Sequence, residues 1–273
     1  MSVEDTARDY YNSEDADAFY YNIWGGEDIH VGIYLAPDED IRSASRRTVE
    51  QMASKLTREI KSTDHVVDLG SGYGGAARYL AKTFGCQVTA VNISEVENER
   101  HREMNREQGV ANQIEVIDGT FENIPLPDAS VDVVWSQDAI LHSGDRARVV
   151  SEVHRVLKTG GEFVFTDPMQ SDDCPPGVLQ PILDRIHLDS LASPGYYKTT
   201  AEATGLRQLL FEDMTHQLTR HYGRVLDETQ KQAGVLENVV SREYIQNMQK
   251  GLGHWIEGGK KGHLSWGIFT FTK

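Results

Sequence analysis

The sequence has little cysteine and no long apolar run, and each shortage excludes a class of protein. The two cysteines, Cys86 and Cys174, lie in unlike surroundings, so we expect reduced thiols, although a chance pairing stays open. No stretch approaches the ~20 apolar residues that a membrane span needs. Residues 1–5 are acidic and carry no basic, apolar targeting segment, so we expect a cytoplasmic protein.

Basic residues are also scarce. The 273 residues include 27 Lys and Arg against 42 Asp and Glu, which gives a formal net charge of −15 at pH 7. Binding to nucleic acid or to an anionic membrane needs clustered Lys and Arg, so we predict neither partner. The acidic residues are spread along the chain, which favours either ordinary solubility or a host with a salty cytoplasm. The sequence leaves the oligomeric state open.

What the chain does have is a regular alternation of strand-like and helical segments. The predicted strands are His65–Leu69, Gln87–Ile93, Ile114–Ile117, Val131–Ser136, Glu162–Asp167, Arg207–Glu212 and Leu264–Thr272. Helical patterns cover Gly75–Phe84, Glu95–Gln108 and Arg146–Leu157. This alternation predicts an α/β fold with a Rossmann-like, mostly parallel sheet that helices cover on both faces.

Two regions interrupt or flank this core. Residues 1–40 form a predicted N-terminal lid or arm, and residues 41–273 form the main domain, which begins with an amphipathic helix over Ser43–Ile60. Between about residues 170 and 260 the alternation stops, which predicts an inserted helical cap. Its predicted helices are Val178–Leu191, Tyr196–Thr204 and Leu218–Glu257, the last one broken near Gly234.

The most informative motif follows the first strand. Asp68 ends the strand, and glycines stand at alternate positions, Gly70, Gly72 and Gly74, with Ser71 among them. Glycines at a strand–turn–helix junction let the backbone approach a nucleotide-like ligand closely. The alternate spacing resembles the S-adenosylmethionine loop of methyltransferases more than the dinucleotide loop, which reads G-x-G-x-x-G. Asp68 either supports the cationic amino group of the cofactor or simply caps the following helix.

Polar residues also end the second and third strands. Asn92, followed by Ile93, stands where an adenosine-binding fold places a group for the ribose hydroxyls, and an amide can both donate and accept there. Asp118, followed by Gly119, is a candidate partner for the adenine amino group, with Phe121 beside the ring. The alternative for both strand ends is an ordinary turn.

Gln137, Asp138 and His142 follow the fourth strand, at the edge of the sheet where ligands bind. If this stretch is helical, Asp138 and His142 share one face, and an Asp that orients a His forms a general-base pair. The alternative is a helix start with a polar His at its end.

Aromatic and basic residues supply candidates for the second ligand. Tyr11, Tyr20 and Trp24 either attach the arm to the core or line a cage for a cation. In the inserted cap, Arg185 and the residues around His221 and Tyr222 are candidates for binding a carboxylate. The alternative is that Arg185, and the arginines at positions 220 and 224 beside His221, are charges that face solvent. No histidines or cysteines stand at metal-ligand spacing, so we predict no metal site.

Taken together, the motifs resemble the class I S-adenosylmethionine-dependent methyltransferases and, more closely, the sarcosine/dimethylglycine N-methyltransferases of glycine betaine synthesis. The matching stretches are Tyr20–His30, Val67–Gly75, Trp135–Asp138 with His142, Thr166–Met169, Gln180–Ile186 and His254–Gly259. The matches span residues 10 to 270, so the resemblance covers essentially the whole chain. The resemblance implies a seven-stranded sheet, a cytosolic enzyme, sarcosine and dimethylglycine as acceptors, and S-adenosylhomocysteine as by-product.

The resemblance also implies roles for single residues. Related phosphoethanolamine methyltransferases carry an Asp and a His at the positions of Asp138 and His142, and N-terminal tyrosines over the sulfonium, which makes Tyr20 a catalytic and cofactor-binding candidate. They have an Arg in place of Gln137, so recognition of the cofactor carboxylate is expected to rely on His30 and Val31.

The sequence leaves three other functions open. They are a methyltransferase for another small amine such as phosphoethanolamine, a non-catalytic S-adenosylmethionine-binding module and, more distantly, a nicotinamide oxidoreductase.

Overall fold

The structure is a computed structural model that describes residues 3–273; the first two residues of the predicted arm lie outside the described part. Its larger strands are β1 (His65–Leu69), β2 (Gln87–Asn92), β3 (Ile114–Asp118), β4 (Val131–Gln137), β5 (Leu157–Thr166), β7 (Arg207–Asp213) and β9 (Gly267–Thr272). They form one sheet in the order β3-β2-β1-β4-β5-β9-β7. The first five strands in this order, β3, β2, β1, β4 and β5, run parallel, and β9 is antiparallel to both β5 and β7. The predicted seven-stranded, mostly parallel sheet is confirmed.

Helices flank both faces of this sheet. Before the cap they are α1 (Val3–Tyr11), α2 (Glu14–Trp24), α3 (Ile41–Ser54), α4 (Gly75–Phe84), α5 (Glu95–Glu107) and α6 (Arg146–Val156). In and around the cap they are α7 (Gln180–Ile186), α8 (Pro194–Thr204), α9 (Thr215–Lys231), α10 (Ala233–Leu236) and α11 (Arg242–Lys260). In the described part of the chain, no helix is long and apolar enough to cross a membrane.

Helix α3 ends at Ser54 rather than at Ile60, and β5 begins at Leu157 rather than at Glu162. Two further elements depart from the expected pattern. The predicted last strand is divided at Trp266, because Leu264–Ser265 (β8) pairs instead with Met169–Gln170 (β6) in a separate two-stranded sheet. The backbone oxygen of Trp266 accepts from the Met214 amide at 2.9 Å, which holds the crossing between the two sheets. The predicted helix 178–191 is only Gln180–Ile186, because His187 takes a left-handed conformation with φ 55° and ends it.

The arm and the cap share a hydrophobic core. Phe19, Ile23 and Trp24 on α2 pack in one buried cluster with Val225 of α9 and Leu252 of α11. The arm and the cap therefore meet at the carboxyl end of the sheet, where the glycine loop also lies. The boundaries that separate lid, main domain and cap stay a prediction.

Candidate active site

The glycines of the loop cannot be replaced by larger residues without strain or overlap. Gly70, Gly72 and Gly74 have φ angles of 71°, 51° and 79°, a region that disfavours a side chain. A Cβ on Gly70 would overlap the side chain of Ala139, and one on Gly74 would overlap the buried ring of His101. The loop therefore presents bare backbone beside β1, as a closely approaching ligand requires.

Beyond this loop lies a cavity of about 110 Å³, the aromatic cavity, between the arm, the cap and the sheet. Six aromatic side chains line it: Tyr10, Tyr11, Tyr20, Trp24, Tyr222 and Trp255. Arg185 of α7 is the single Arg or Lys on its wall within the described residues. Such a wall can hold an organic cation by its ring faces and an anion by one guanidinium.

A second cavity of about 80 Å³, the loop cavity, lies against the glycine loop and the ends of β2, β3 and β4. Its wall includes Gly70, Gly72, Asn92, Ile93, Gly119 and Gln137. Tyr11, Ile29, Asp138 and His142 line both the loop cavity and the aromatic cavity. These four residues form the junction at which molecules in the two cavities would meet.

A smaller cleft lies on the other side of the loop and is lined by Asp68, Ser71, His30 and Gln137. The buried atoms Asp68 Oδ2, Ser71 Oγ and Gln137 Nε2 have no hydrogen-bond partner among residues 3–273. Burial raises the pKa of Asp68 to about 7. Unpaired buried polar atoms are costly, so a polar ligand that both donates and accepts hydrogen bonds would stabilise this cleft.

Asp138 is held from two sides at the junction. Its Oδ2 accepts from the Val31 amide at 2.7 Å, and its Oδ1 accepts from the Trp266 indole at 2.8 Å. Its φ of 51° is in the left-handed region, which is strained for a non-glycine residue. Burial raises the pKa of Asp138, while His30 and the two donors oppose that rise. The arm and the last strand thus fix this carboxylate in place.

His142 has a different partner from the one expected. Residues Ile140–His142 form a short 3₁₀ turn rather than an α-helix, and His142 Nε2 bonds the Tyr11 hydroxyl at 3.0 Å. The expected hydrogen-bonded Asp138–His142 pair is not found among the described contacts, because the left-handed Asp138 and the 3₁₀ turn replace the helix that would place the two side chains on one face. Burial, with Arg146 nearby, lowers the pKa of His142 to about 4, so the ring is neutral at pH 7.

The chain matches known proteins over its full length. The family described as methyltransferase domain matches residues 67–165. A sarcosine/dimethylglycine N-methyltransferase from Halorhodospira halochloris is 58% identical over 98% of this chain and 96% of its own. One from Aphanothece halophytica is 54% identical over 100% and 98%. The chain belongs to the sarcosine/dimethylglycine N-methyltransferase family. A crystal structure of a protein assigned as such an enzyme from Galdieria sulphuraria superposes with a TM-score of 0.92, at 44% identity over 97% and 98% of the two chains.

The predicted carboxylate binders of this methyltransferase lie in one place. Arg185, His221 and Tyr222 all line the aromatic cavity. Arg185 crosses α11 at Gly251, where a Cβ would overlap its side chain. The two arginines beside His221 bond backbone groups outside this set. Arg220 Nη1 donates to the Tyr34 carbonyl, and Arg224 Nε donates to the Glu39 carbonyl.

Three cofactor candidates of the methyltransferase are placed differently from the expectation. Tyr20 and Val31 line only the aromatic cavity, not the loop cavity. Asp118 lines neither cavity, because its half-exposed carboxylate accepts from Asn98 Nδ2 at 2.7 Å and Arg102 Nη2 at 3.1 Å.

Sequence reasoning missed a buried acid in the loop cavity. Glu97 on α5 accepts from Asn92 Nδ2 at 2.9 Å, and burial raises its pKa to about 7. A signal was present in the sequence, because Glu97 stands three residues after the N-cap Ser94, at the start of the helix that follows Asn92. Trp266 and Ile29 were also missed, since neither belongs to a residue class that signals chemistry.

Proposed function

We propose that this enzyme transfers methyl groups from S-adenosylmethionine to the nitrogen of sarcosine and dimethylglycine, giving glycine betaine and S-adenosylhomocysteine. One observation carries the proposal: an aromatic cavity with a single arginine opens onto the glycine-loop cavity at Tyr11, Ile29, Asp138 and His142. The names of full-length relatives at 58% and 54% identity support the choice of acceptors.

The residues of the loop suit the proposed methyl donor. The unpaired Asp68 Oδ2 in the small cleft suits its ammonium group, with Ser71, Gln137 and His30 toward its carboxylate. The buried Asn92 and Glu97 suit the ribose hydroxyls. When bound, S-adenosylmethionine supplies an electrophilic methyl group on a sulfonium. The enzyme's own part is to orient the acceptor and exclude water, which is where much of the rate can arise.

The aromatic cavity suits a small zwitterion. Six aromatic rings line the cavity, and the nitrogen of a bound amine would gain positive charge during each methyl transfer; ring faces stabilise such charge by roughly 0.5–2 kcal/mol each. Arg185 suits one carboxylate. A phosphoethanolamine acceptor carries up to two negative charges on phosphate and would need more than this single guanidinium.

Proton removal is the remaining requirement, because these amines are largely protonated at neutral pH. The Tyr11 hydroxyl lines both cavities and bonds His142 Nε2 at 3.0 Å. Burial keeps the His142 ring neutral at pH 7, so it has a lone pair for a proton relayed through Tyr11, and its lowered pKa means that it holds that proton only in transit. The Asp138 carboxylate beside them favours the ammonium as it enters. The last methylation has no proton to lose, so this pair matters for deprotonating the acceptor before each attack.

Mass spectrometry of the products tests this function. The enzyme is incubated with S-adenosylmethionine and, separately, glycine, sarcosine, dimethylglycine and phosphoethanolamine. We expect betaine from sarcosine and dimethylglycine and little product from phosphoethanolamine. Cofactor binding without turnover on any amine would instead indicate a binding module.

The free cysteines, Cys86 and Cys174, suit a reducing compartment, and we propose that the enzyme works in the cytoplasm.

A further inference from the structure

His221 of α9 carries a polar atom that has no hydrogen-bond partner in the part of the chain that the structure describes. The side chain is completely buried and lines the aromatic cavity. Its Nδ1 accepts from the Gly32 amide at 3.1 Å and contacts the Tyr34 hydroxyl at 2.9 Å. Its other nitrogen, Nε2, is buried and has no hydrogen-bond partner among residues 3–273.

The contact with Gly32 determines which nitrogen carries the hydrogen. A backbone amide can only donate, so Nδ1 must be the unprotonated acceptor and the ring hydrogen must lie on Nε2. Burial, with His30 nearby, also lowers the pKa of His221 to about 3, so the ring stays neutral. The wall of the aromatic cavity therefore contains an unpaired, neutral N–H donor.

The arm segment that sets this tautomer is held firmly. Gln217, one turn before His221 on α9, accepts from the Tyr34 amide at 2.9 Å and donates to the Tyr34 carbonyl at 3.2 Å. A Cβ on Gly32 would lie 2.7 Å from the Ala44 Cβ, so no larger residue seats there without a shift. The arm thus presents the Gly32 amide to His221 in one geometry.

We propose that His221 Nε2–H donates a hydrogen bond to the carboxylate of the acceptor amino acid, as a second donor beside Arg185, and that Gly32 and Tyr34 are the positioning groups for it. This proposal rests on the proposed function and deepens it. A buried donor without a partner is costly unless a ligand satisfies it. One guanidinium and one neutral donor match the single negative charge of sarcosine and dimethylglycine, whereas a second cation would favour a phosphate.

Two substitutions separate the two ring nitrogens. His221→Asn keeps an acceptor near Nδ1 and removes the group at Nε2, while His221→Gln places an amide donor near Nε2. We expect His221→Asn to raise the KM for dimethylglycine about tenfold or more, since a hydrogen bond to a charged group is lost. His221→Gln is expected to recover part of that loss. The KM for S-adenosylmethionine should stay within about twofold in both variants.

Dimethylethanolamine, which has a hydroxyl in place of the carboxylate, is the control acceptor. The variant-to-wild-type ratio of kcat/KM should change for dimethylglycine and stay within about twofold for dimethylethanolamine. Equal losses on the two acceptors would show a structural role for His221 and overturn the proposal. So would a ¹⁵N NMR spectrum of the ring with the hydrogen on Nδ1.

Calorimetry without turnover keeps this proposal distinct from the proposed function. Wild-type enzyme loaded with S-adenosylhomocysteine is titrated with dimethylglycine, and the same is done for His221→Asn. Binding that weakens about tenfold in the variant supports the donor even if no betaine forms, in which case only the proposed function fails. Equal binding by both proteins overturns the donor, and no binding by the wild type overturns both.

Discussion

Trp266 donates its indole N–H to Asp138 Oδ1 at 2.8 Å, although the two residues are 128 positions apart. Trp266 lies at the crossing between the two-stranded sheet and β9, and its side chain is completely buried. The other oxygen of Asp138 accepts from Val31 of the arm. The junction carboxylate therefore depends on the arm and on the C-terminal strand together.

Replacing Trp266 with Phe removes this donor and leaves Asp138 Oδ1 buried without it. We expect a loss of about 1–3 kcal/mol in the free energy of unfolding, measured by urea denaturation. We also expect kcat to fall by about tenfold, because Asp138 is no longer held at the junction. Unchanged kcat with reduced stability would show that the indole matters to folding alone.

His142→Ala should lower turnover while cofactor binding stays near that of the wild type. The ring lines the junction and its polar partner is Tyr11 on the arm, not a residue of the glycine loop. General acid–base groups contribute about 10²–10⁴-fold to rates, so kcat should fall within that range. Tyr11→Phe is the matched variant and should lose activity in the same direction. Calorimetry with S-adenosylhomocysteine provides the readout of binding, and lost binding would make His142 an adenosyl-site residue.

Cofactor affinity should rise between pH 6 and pH 8. Burial raises the pKa of Asp68 to about 7, so the carboxyl is largely protonated below that pH and must ionise before it can pair with an ammonium. Affinity for S-adenosylhomocysteine should therefore fall by up to about tenfold for each pH unit below 7. Asp68→Asn should bind more weakly at pH 8 and show a smaller slope.

Methylthioadenosine, which lacks the amino acid end, separates Asp68 from the other buried acid. Its affinity should not change between the wild type and Asp68→Asn, and any slope that it keeps reports Glu97, whose pKa is also about 7. An equal pH slope for both ligands in the wild type would contradict the role of Asp68.

Glu97 and Asp118 give opposite expectations for cofactor binding. Glu97 lines the loop cavity and bonds Asn92, so Glu97→Ala should weaken binding of S-adenosylhomocysteine about tenfold or more. Asp118 lies outside that wall and pairs with Arg102, and Asp118→Ala should cost at most about 1 kcal/mol of stability. Calorimetry on both variants, with thermal unfolding as the check on folding, compares them. A larger loss for Asp118→Ala would restore it as the adenine partner.

Gly251→Ala tests whether the path of Arg185 matters. In an ordinary helix this change adds about 1 kcal/mol of helix propensity, yet here the new Cβ would overlap the Arg185 side chain. We expect a higher KM for dimethylglycine with an unchanged KM for the cofactor. Gly253→Ala on the same helix is the matched control, because a Cβ there has nothing within 4 Å. An equal KM for dimethylglycine in the two variants would show that Gly251 does not position Arg185.

The sheet was predictable because its signals are local. Short apolar runs such as His65–Leu69 alternate with helical patterns, and this alternation indicates the strands and their parallel pairing through right-handed crossovers. The division of the last predicted strand at Trp266 was not predictable, since it depends on pairing with residues 169–170 far earlier in the chain. The end of the helix at His187 depends likewise on a backbone conformation that sequence spacing does not reveal.

The sequence indicated which residues lie around the cavities better than it indicated which of them are hydrogen-bonded to each other. The residues expected around the glycine loop line one of three adjoining spaces, with Asp118 as the exception. The expected Asp138–His142 pair depended on helical spacing, and the left-handed φ of Asp138 with the 3₁₀ turn after it removes that spacing. Their actual partners, Trp266 and Tyr11, come from the two ends of the chain, so only the folded structure brings them together.

Transfer of a labelled methyl group to sarcosine would show that the enzyme methylates a carboxylate-bearing amine. The enzyme is incubated with S-adenosylmethionine carrying a ¹³C-methyl group and with unlabelled sarcosine, and the products are weighed by mass spectrometry. We expect betaine with two ¹³C atoms and two equivalents of S-adenosylhomocysteine for each betaine. Recovery of unlabelled sarcosine alone, from enzyme that binds S-adenosylhomocysteine, would contradict the account.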